Sequence, residues 1–163
     1  MSRDFTPRNA DFAAVVRRSF ERQSLMATLG ATLARVEPGG VDIALPFSSR
    51  LSQQHGFLHA GAVAAIADSA NGYAALTLCP PGTEVLAVEF KINLMAPARA
   101  PEFLARGRVL RQGRTLTVCL AEVFGIGESG REAIATMLST IISRPLESFE
   151  RNAQNAAEGG VSR

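Results

Sequence analysis

A chain of 163 residues, 47% apolar and 20% charged, suits one globular domain that needs no disulfide staples. Its net charge of +2 comes from scattered arginines and the single Lys91, with no Trp and one Tyr, which excludes a basic stripe or a stacking platform for nucleic acid. Cys79 and Cys119 form no CxxC pair, no uncharged apolar stretch reaches the about 18 residues of a membrane span, and MSRDFTPRNADF lacks the apolar core of a signal peptide, so a cytoplasmic protein is expected, with no membrane and no nucleic-acid partner.

Residues 1–10 are polar and read as a flexible N-terminus, 11–145 as the folded domain and 146–163 as a polar C-terminal tail. Asp11 is placed to cap a helix over about 12–27, with Phe12, Val15, Val16, Phe20 and Leu25 near one face and Gly30 to end it. ATLARVEP and GGVDIALPF alternate around Glu37-Pro38-Gly39-Gly40, the pattern of an antiparallel hairpin. After the loop SSRLSQQHGFLH comes AGAVAAIADSANGYAALTL, residues 60–78. It is rich in Ala and apolar nearly all round, which predicts a buried helix, stopped by Pro80, Pro81 and Gly82. The period then changes to two. EVLAVEFKINLMAP sets Leu86, Val88, Phe90, Ile92 and Leu94 on one strand face, EFLARGRVLRQG and RTLTVCLAEVFG make two strands around Arg111–Arg114, and REAIATMLSTIIS makes a last one. Strands in a run with one central helix predict an α+β fold, five to six antiparallel strands wrapped around that helix.

Asp68 is the one charged group in the central helix, eight residues past its start and so not a cap. A lone buried carboxylate is costly unless it is paired, hydrogen-bonded or protonated, and perturbed carboxylates gather at functional sites. Gln53, Gln54, His55, Gly56, His59, Ala60 and Gly61 cluster where that helix begins. A helix N-terminus presents free N–H donors to a carbonyl oxygen gaining negative charge, and the carboxylate lies two turns further along. Other chemistries lack their motifs. His55 and His59 are four apart without an HExxH pattern or a third ligand, so no metal site is expected. There is no G-x-S-x-G elbow, P-loop or Rossmann fingerprint, and neither Cys has a His nearby in sequence.

The run Gly56-Phe57-Leu58-His59-Ala60-Gly61, with Asp68 seven residues after Gly61, resembles the G-x-x-H-G-G…D signature of PaaI-type hotdog-fold acyl-CoA thioesterases. Asn93-Leu94-Met95-Ala96-Pro97 resembles that family's strand ending in Pro after the central helix, and the likeness covers about residues 12–144. The resemblance implies hydrolysis of an acyl-CoA or aryl-acyl-CoA to free acid and CoA, with no cofactor, since CoA is part of the substrate. It implies Asp68 as general base or nucleophile, the amide of Ala60 or Gly61 as donor to the thioester oxygen, His59 shaping the loop and Gln53 in place of a common Asn. The first Gly of the usual H-G-G is Ala60 here, and a Ser or Thr that some relatives place on the next strand is matched by Ala87. Gly56, Phe57 and Ala87 are expected against the substrate, with Tyr73, Leu76 and the N-terminal helix shaping the acyl pocket. Arg99, Arg111 and Arg114 are the candidates for the CoA phosphates, because guanidinium forks match phosphate oxygens. The family's site lies between two subunits, so a homodimer or a dimer of dimers is expected, joined along residues 84–95. Two other readings are a non-catalytic acyl-CoA binder, which needs no carboxylate in an apolar helix, and an enoyl-CoA hydratase, whose Asp–His pair has a spacing that Asp68 and the two His do not match.

Overall fold

In the computed structural model, which describes residues 5–128 and 130–148, the chain opens on two short helices, α1 (Phe12–Glu21) and α2 (Ser24–Leu29). The single helix expected over 12–27 is broken at Gln23, whose backbone is extended (φ −78°, ψ 97°). Val16 and Met26 explain the break. Ten residues apart, they would point about 80° away from each other on one straight helix, yet both are fully buried in the same core. Gly30, in the left-handed region at φ 74°, ends α2 as expected.

The hairpin follows as β1 (Thr32–Glu37) and β2 (Gly40–Pro46), closed by Gly39 at φ 73°. The Gly39 N–H donates to the buried Thr77 hydroxyl at 2.8 Å, which ties this turn to the far end of the central helix. Phe5, within the stretch read as flexible, packs over the same glycine. The tail beyond residue 148 lies outside the described residues.

A single 3-10 turn at Ser49–Leu51 leads to the central helix α3 (Ala60–Leu76), then β3 (Thr83–Leu94), β4 (Glu102–Gln112), β5 (Leu116–Gly127) and β6 (Gly130–Pro145). All pairs are antiparallel, and one six-stranded sheet runs β1-β2-β4-β5-β6-β3. It wraps on α3, which packs against β2, β3, β4, β5 and β6. The inner face carries Val41, Ile43, Phe103, Ala105, Ala121, Val123, Met137 and Ile141, all buried against Val63, Ile66, Ala67, Ala70 and Ala74 of the helix. Fully burying a Val, Ile or Phe is worth about 1.5–3 kcal/mol, so this layer is the main source of stability.

Small residues set how closely the layers meet. A Cβ on Gly107 would lie 2.8 Å from the Asn71 nitrogen and closer still to the Ala70 carbonyl. The buried Asn71 amide donates to the Ser139 hydroxyl at 2.7 Å and pins α3 to β6.

One strand departs from its expected face. The ladder between β3 and β6 shifts between Ala87 and Glu89, a β-bulge that leaves Val88 without a partner. Before it Val85 packs on the core; after it Ile92 does. Leu86 therefore points to the opposite face from Phe90, Ile92 and Leu94, and the five do not share one side. The outer edge of β3 is unpaired, and Leu86, Val88, Phe90 and Leu94 are about half exposed there.

Candidate active site

Asp68 sits in the middle of α3 with one carboxylate oxygen, Oδ1, buried and without a hydrogen-bond partner. No described cation pairs with it. Burial holds its carboxyl above the usual carboxylate range. It borders a cavity of about 230 Å³ together with Ser19, Gln23, Tyr73, Glu84 and Ala87. Tyr73, Leu76 and Ala87, expected at the substrate, line this space, and the N-terminal region reaches it through Ser19 of α1 and Gln23. Three contributors were not apparent in the sequence. Gln23 enters only because the helix breaks there, and Ser19 and Glu84 are ordinary polar residues whose placement depends on the fold.

The helix N-terminus forms a second half-site. His59 is the N-cap of α3, and its Nδ1 accepts the Gly61 N–H at 2.8 Å. That contact assigns the proton of a neutral ring to Nε2 and holds the imidazole against the first turn of α3. It also distinguishes the two candidate donors. The Gly61 N–H is occupied, whereas the Ala60 N–H has no acceptor among the described residues. Gln53 ties its own loop: its side-chain oxygen accepts from the His55 N–H, its N–H donates to Phe57 O at 2.9 Å, and its carbonyl accepts from Gly56 N–H at 3.0 Å. Gly56 at φ 80° makes that turn possible. Gln53, Phe57, Ala60, Leu94 and Pro97 border a mainly apolar cavity of about 180 Å³.

The two half-sites do not meet within one chain. Ala60 and Asp68 are eight residues apart on one helix, roughly 12 Å along its axis at about 1.5 Å per residue. Reacting groups act at about 3–3.5 Å, so the Asp68 carboxylate and the Ala60 amide of one chain do not reach the same carbonyl.

The three candidate arginines are also spread out. The Arg99 guanidinium lies 4.9 Å over the Phe57 ring, beside the helix N-terminus. Arg111 is near the other end of β4, roughly 30 Å away at about 3.3 Å per residue. Arg114 borders a separate cavity with Arg8 and Arg144. Among the described residues no group of three or more His, Cys, Asp or Glu gathers as a metal site, and no helix is long and apolar enough to cross a membrane. Burial pushes the Cys79 thiol up to about 11 and the Cys119 thiol up to about 12, so neither supplies a thiolate near neutral pH.

An antiparallel sheet wrapped on one long central helix is the hotdog architecture. Residues 55–129 match the family model described as the thioesterase superfamily. A crystal structure of a thioesterase family protein from Silicibacter pomeroyi is 46% identical and superposes with a TM-score of 0.81, covering 82% of this chain and 98% of that one. The proofreading thioesterase EntH of Klebsiella pneumoniae is 27% identical over 119 residues, 73% of this chain and 85% of that one. The E. coli PaaI protein shares the fold at 18% identity and a TM-score of 0.72, covering 81% of this chain and 92% of that one. The chain belongs to the thioesterase superfamily.

Proposed function

We propose that the chain hydrolyses acyl-CoA or aryl-acyl-CoA thioesters as a homodimer, with Asp68 of one subunit and the Ala60 N–H of the other at each site. The observation that carries the reading is the Asp68 carboxylate, buried on one side, unpaired and open to a cavity. An unpaired buried carboxylate is destabilising in a protein that only binds, and useful in one that activates water or attacks a carbonyl. The Ala60 N–H, at the positive end of a 17-residue helix, suits the oxygen of a thioester as it becomes an oxyanion. The gap of roughly 12 Å supports a site completed by a partner subunit, and the open edge of β3 is the surface this reading uses for docking. A long apolar edge strand is otherwise an aggregation hazard. Pairing of two β3 strands would cover Leu86, Val88, Phe90 and Leu94 from both chains. A dimer of dimers is the further assembly this proposal allows.

In the chemical step, Asp68 takes a proton from water as that water attacks the carbonyl, the C–S bond breaks, and Asp68 returns the proton to the departing CoA thiolate. Alternatively, Asp68 attacks the carbonyl itself, the CoA thiolate leaves and takes a proton from solvent, and water hydrolyses the acyl-aspartyl anhydride. In both, the carbonyl oxygen leans on the Ala60 amide. CoA is substrate, and the proposed chemistry draws on no other group. The test is release of CoA thiol from a panel of acyl-CoA esters by the wild type and by Asp68→Asn. Tight binding without thiol release by the wild type would favour a non-catalytic binder.

A further inference from the structure

Beside Asp68 the cavity wall turns from apolar to polar. Gln23 Nε2 donates to the Tyr73 hydroxyl at 2.9 Å, Gln23 Oε1 accepts from the Ser69 hydroxyl at 3.4 Å, and the Tyr73 hydroxyl donates to Ser19 Oγ at 3.4 Å. Tyr73 is 4% exposed, and its ring is fixed against Phe20 with centroids 5.9 Å apart. This chain of contacts orients the Gln23 amide without using it up. A primary amide has two N–H donors and two oxygen lone pairs, so among the described residues one donor and one acceptor site remain, and the Ser19 hydroxyl proton is also unused. All four residues border the cavity that holds Asp68.

Gly72 lies one helical turn beyond Asp68, in the same wall. A Cβ built on it meets nothing within 4 Å. Glycine inside a helix is about 1 kcal/mol less favourable than alanine, and no crowding within this chain calls for it. What the glycine leaves is room between the carboxylate and the polar cluster.

We propose that Gln23 is a specificity-determining residue that reads a hydrogen-bonding substituent, a hydroxyl or a carbonyl, on a short acyl group. The inference rests on the thioesterase reading and deepens it. The distance sets the acyl length. Tyr73 is five residues past Asp68, roughly 7–8 Å along the helix. With the thioester carbonyl at Asp68, the substituent sits a few bonds away, and a long unsubstituted alkyl chain would have to lie against the amide and hydroxyls. Such a pocket discriminates well, because an analogue that lacks the polar group leaves the protein's own donors unpaired.

The experiment uses matched pairs of CoA thioesters, such as butanoyl-CoA and 3-hydroxybutanoyl-CoA, and the ratio of their kcat/KM values. The full-length wild type should prefer the hydroxylated member by about tenfold or more. Gln23→Leu should bring that ratio to within about twofold of unity. Tyr73→Phe keeps the ring and its packing but frees the amide, and should also lower the ratio. A loss of stability lowers both rates alike and leaves their ratio unmoved, so this readout separates recognition from folding. A wild type that favours the unsubstituted esters, or a ratio that both variants leave intact, overturns the proposal. Non-hydrolysable thioether analogues of the same pairs make the outcome independent of turnover. Preferential binding of the hydroxylated analogue without hydrolysis of any ester keeps the pocket assignment and sinks the thioesterase reading. Hydrolysis with equal binding of both analogues does the reverse.

Discussion

Asp68 is held in its unusual state by burial alone, and that has consequences in two experiments. Asp68→Asn keeps the size and shape of the side chain but removes the basic oxygen. Positioned acid–base groups contribute about 10²–10⁴-fold in rate, so kcat should fall by something like that factor with KM little changed, because the loss falls on the transition state. Near-normal turnover by this variant, measured as thiol release, would end the carboxylate mechanism. The second consequence is a pH dependence. The base must be ionised, and burial raises its carboxyl above the usual range, so the acid limb of kcat/KM should lie above that of an ordinary aspartate. The folded chain also holds this proton more tightly than the unfolded chain. The stability it confers is therefore fully present below the unfolded value and lost as pH rises through the folded one. Asp68→Asn escapes that loss. Its Tm advantage over the wild type should appear as pH rises above the usual Asp range and vanish below it, and a constant offset across that window would contradict the assignment. Asp68 was legible in the sequence because a charge in an otherwise apolar helix is conspicuous. Gln23 was not, because a polar residue in an amphipathic stretch looks like solvated surface until the backbone turns it inward. That the Gly61 N–H is occupied was equally hidden, since it depends on where the His59 ring points.

At the scale of elements, the fold rests on how closely α3 approaches the sheet. The alternation of β2, β4, β5 and β6 and the Ala-rich helix were readable because burial on one face enforces period two and burial all round permits an apolar helix. The bulge in β3 was not, since its apolar residues keep alternating through a register shift that only pairing with β6 reveals. The contact at Gly107 is the tightest expression of this packing. The glycine faces the Ala70–Asn71 peptide, and a methyl group there would meet backbone rather than a yielding side chain. Gly107→Ala should destabilise by about 1–3 kcal/mol or more, since overpacking a rigid layer shifts whole elements. For a chain of this size each kcal/mol lowers Tm by about 2–4 °C, which thermal unfolding resolves readily. Gly72→Ala is the control on the same helix, because its added methyl meets open space and alanine is the better helix former. Equal Tm values for Gly107→Ala and the wild type would show that helix and sheet are not in the contact described.

At the scale of the whole molecule, Asp68 and the Ala60 amide of one chain lie too far apart to act together, and the proposed dimer makes a specific numerical prediction. Ala60 is the first residue of α3, a position where proline is favoured, and His59 before it has φ −63° and ψ 139°, the extended conformation that a following proline requires. The Ala60 N–H has no acceptor among the described residues, so Ala60→Pro should remove the proposed oxyanion donor and little else. Homodimers of Ala60→Pro lack the donor at both sites, and homodimers of Asp68→Asn lack the carboxylate at both. In a mixed dimer, one site takes Asp68 from the first variant and Ala60 from the second and is intact, while the other site carries both lesions. When the two variants are co-expressed in equal amounts and pair at random, half of the dimers are mixed and each has one working site of two. Activity should then recover to roughly a quarter of the wild-type value, as the symmetry of an isologous dimer demands. Sedimentation at micromolar concentration should show dimers or larger for the wild type and for both variants. If the carboxylate and the amide served the same carbonyl within a single chain, every chain in the mixture would remain defective. Activity would then stay at the average of the two variants, and the shared site would be excluded.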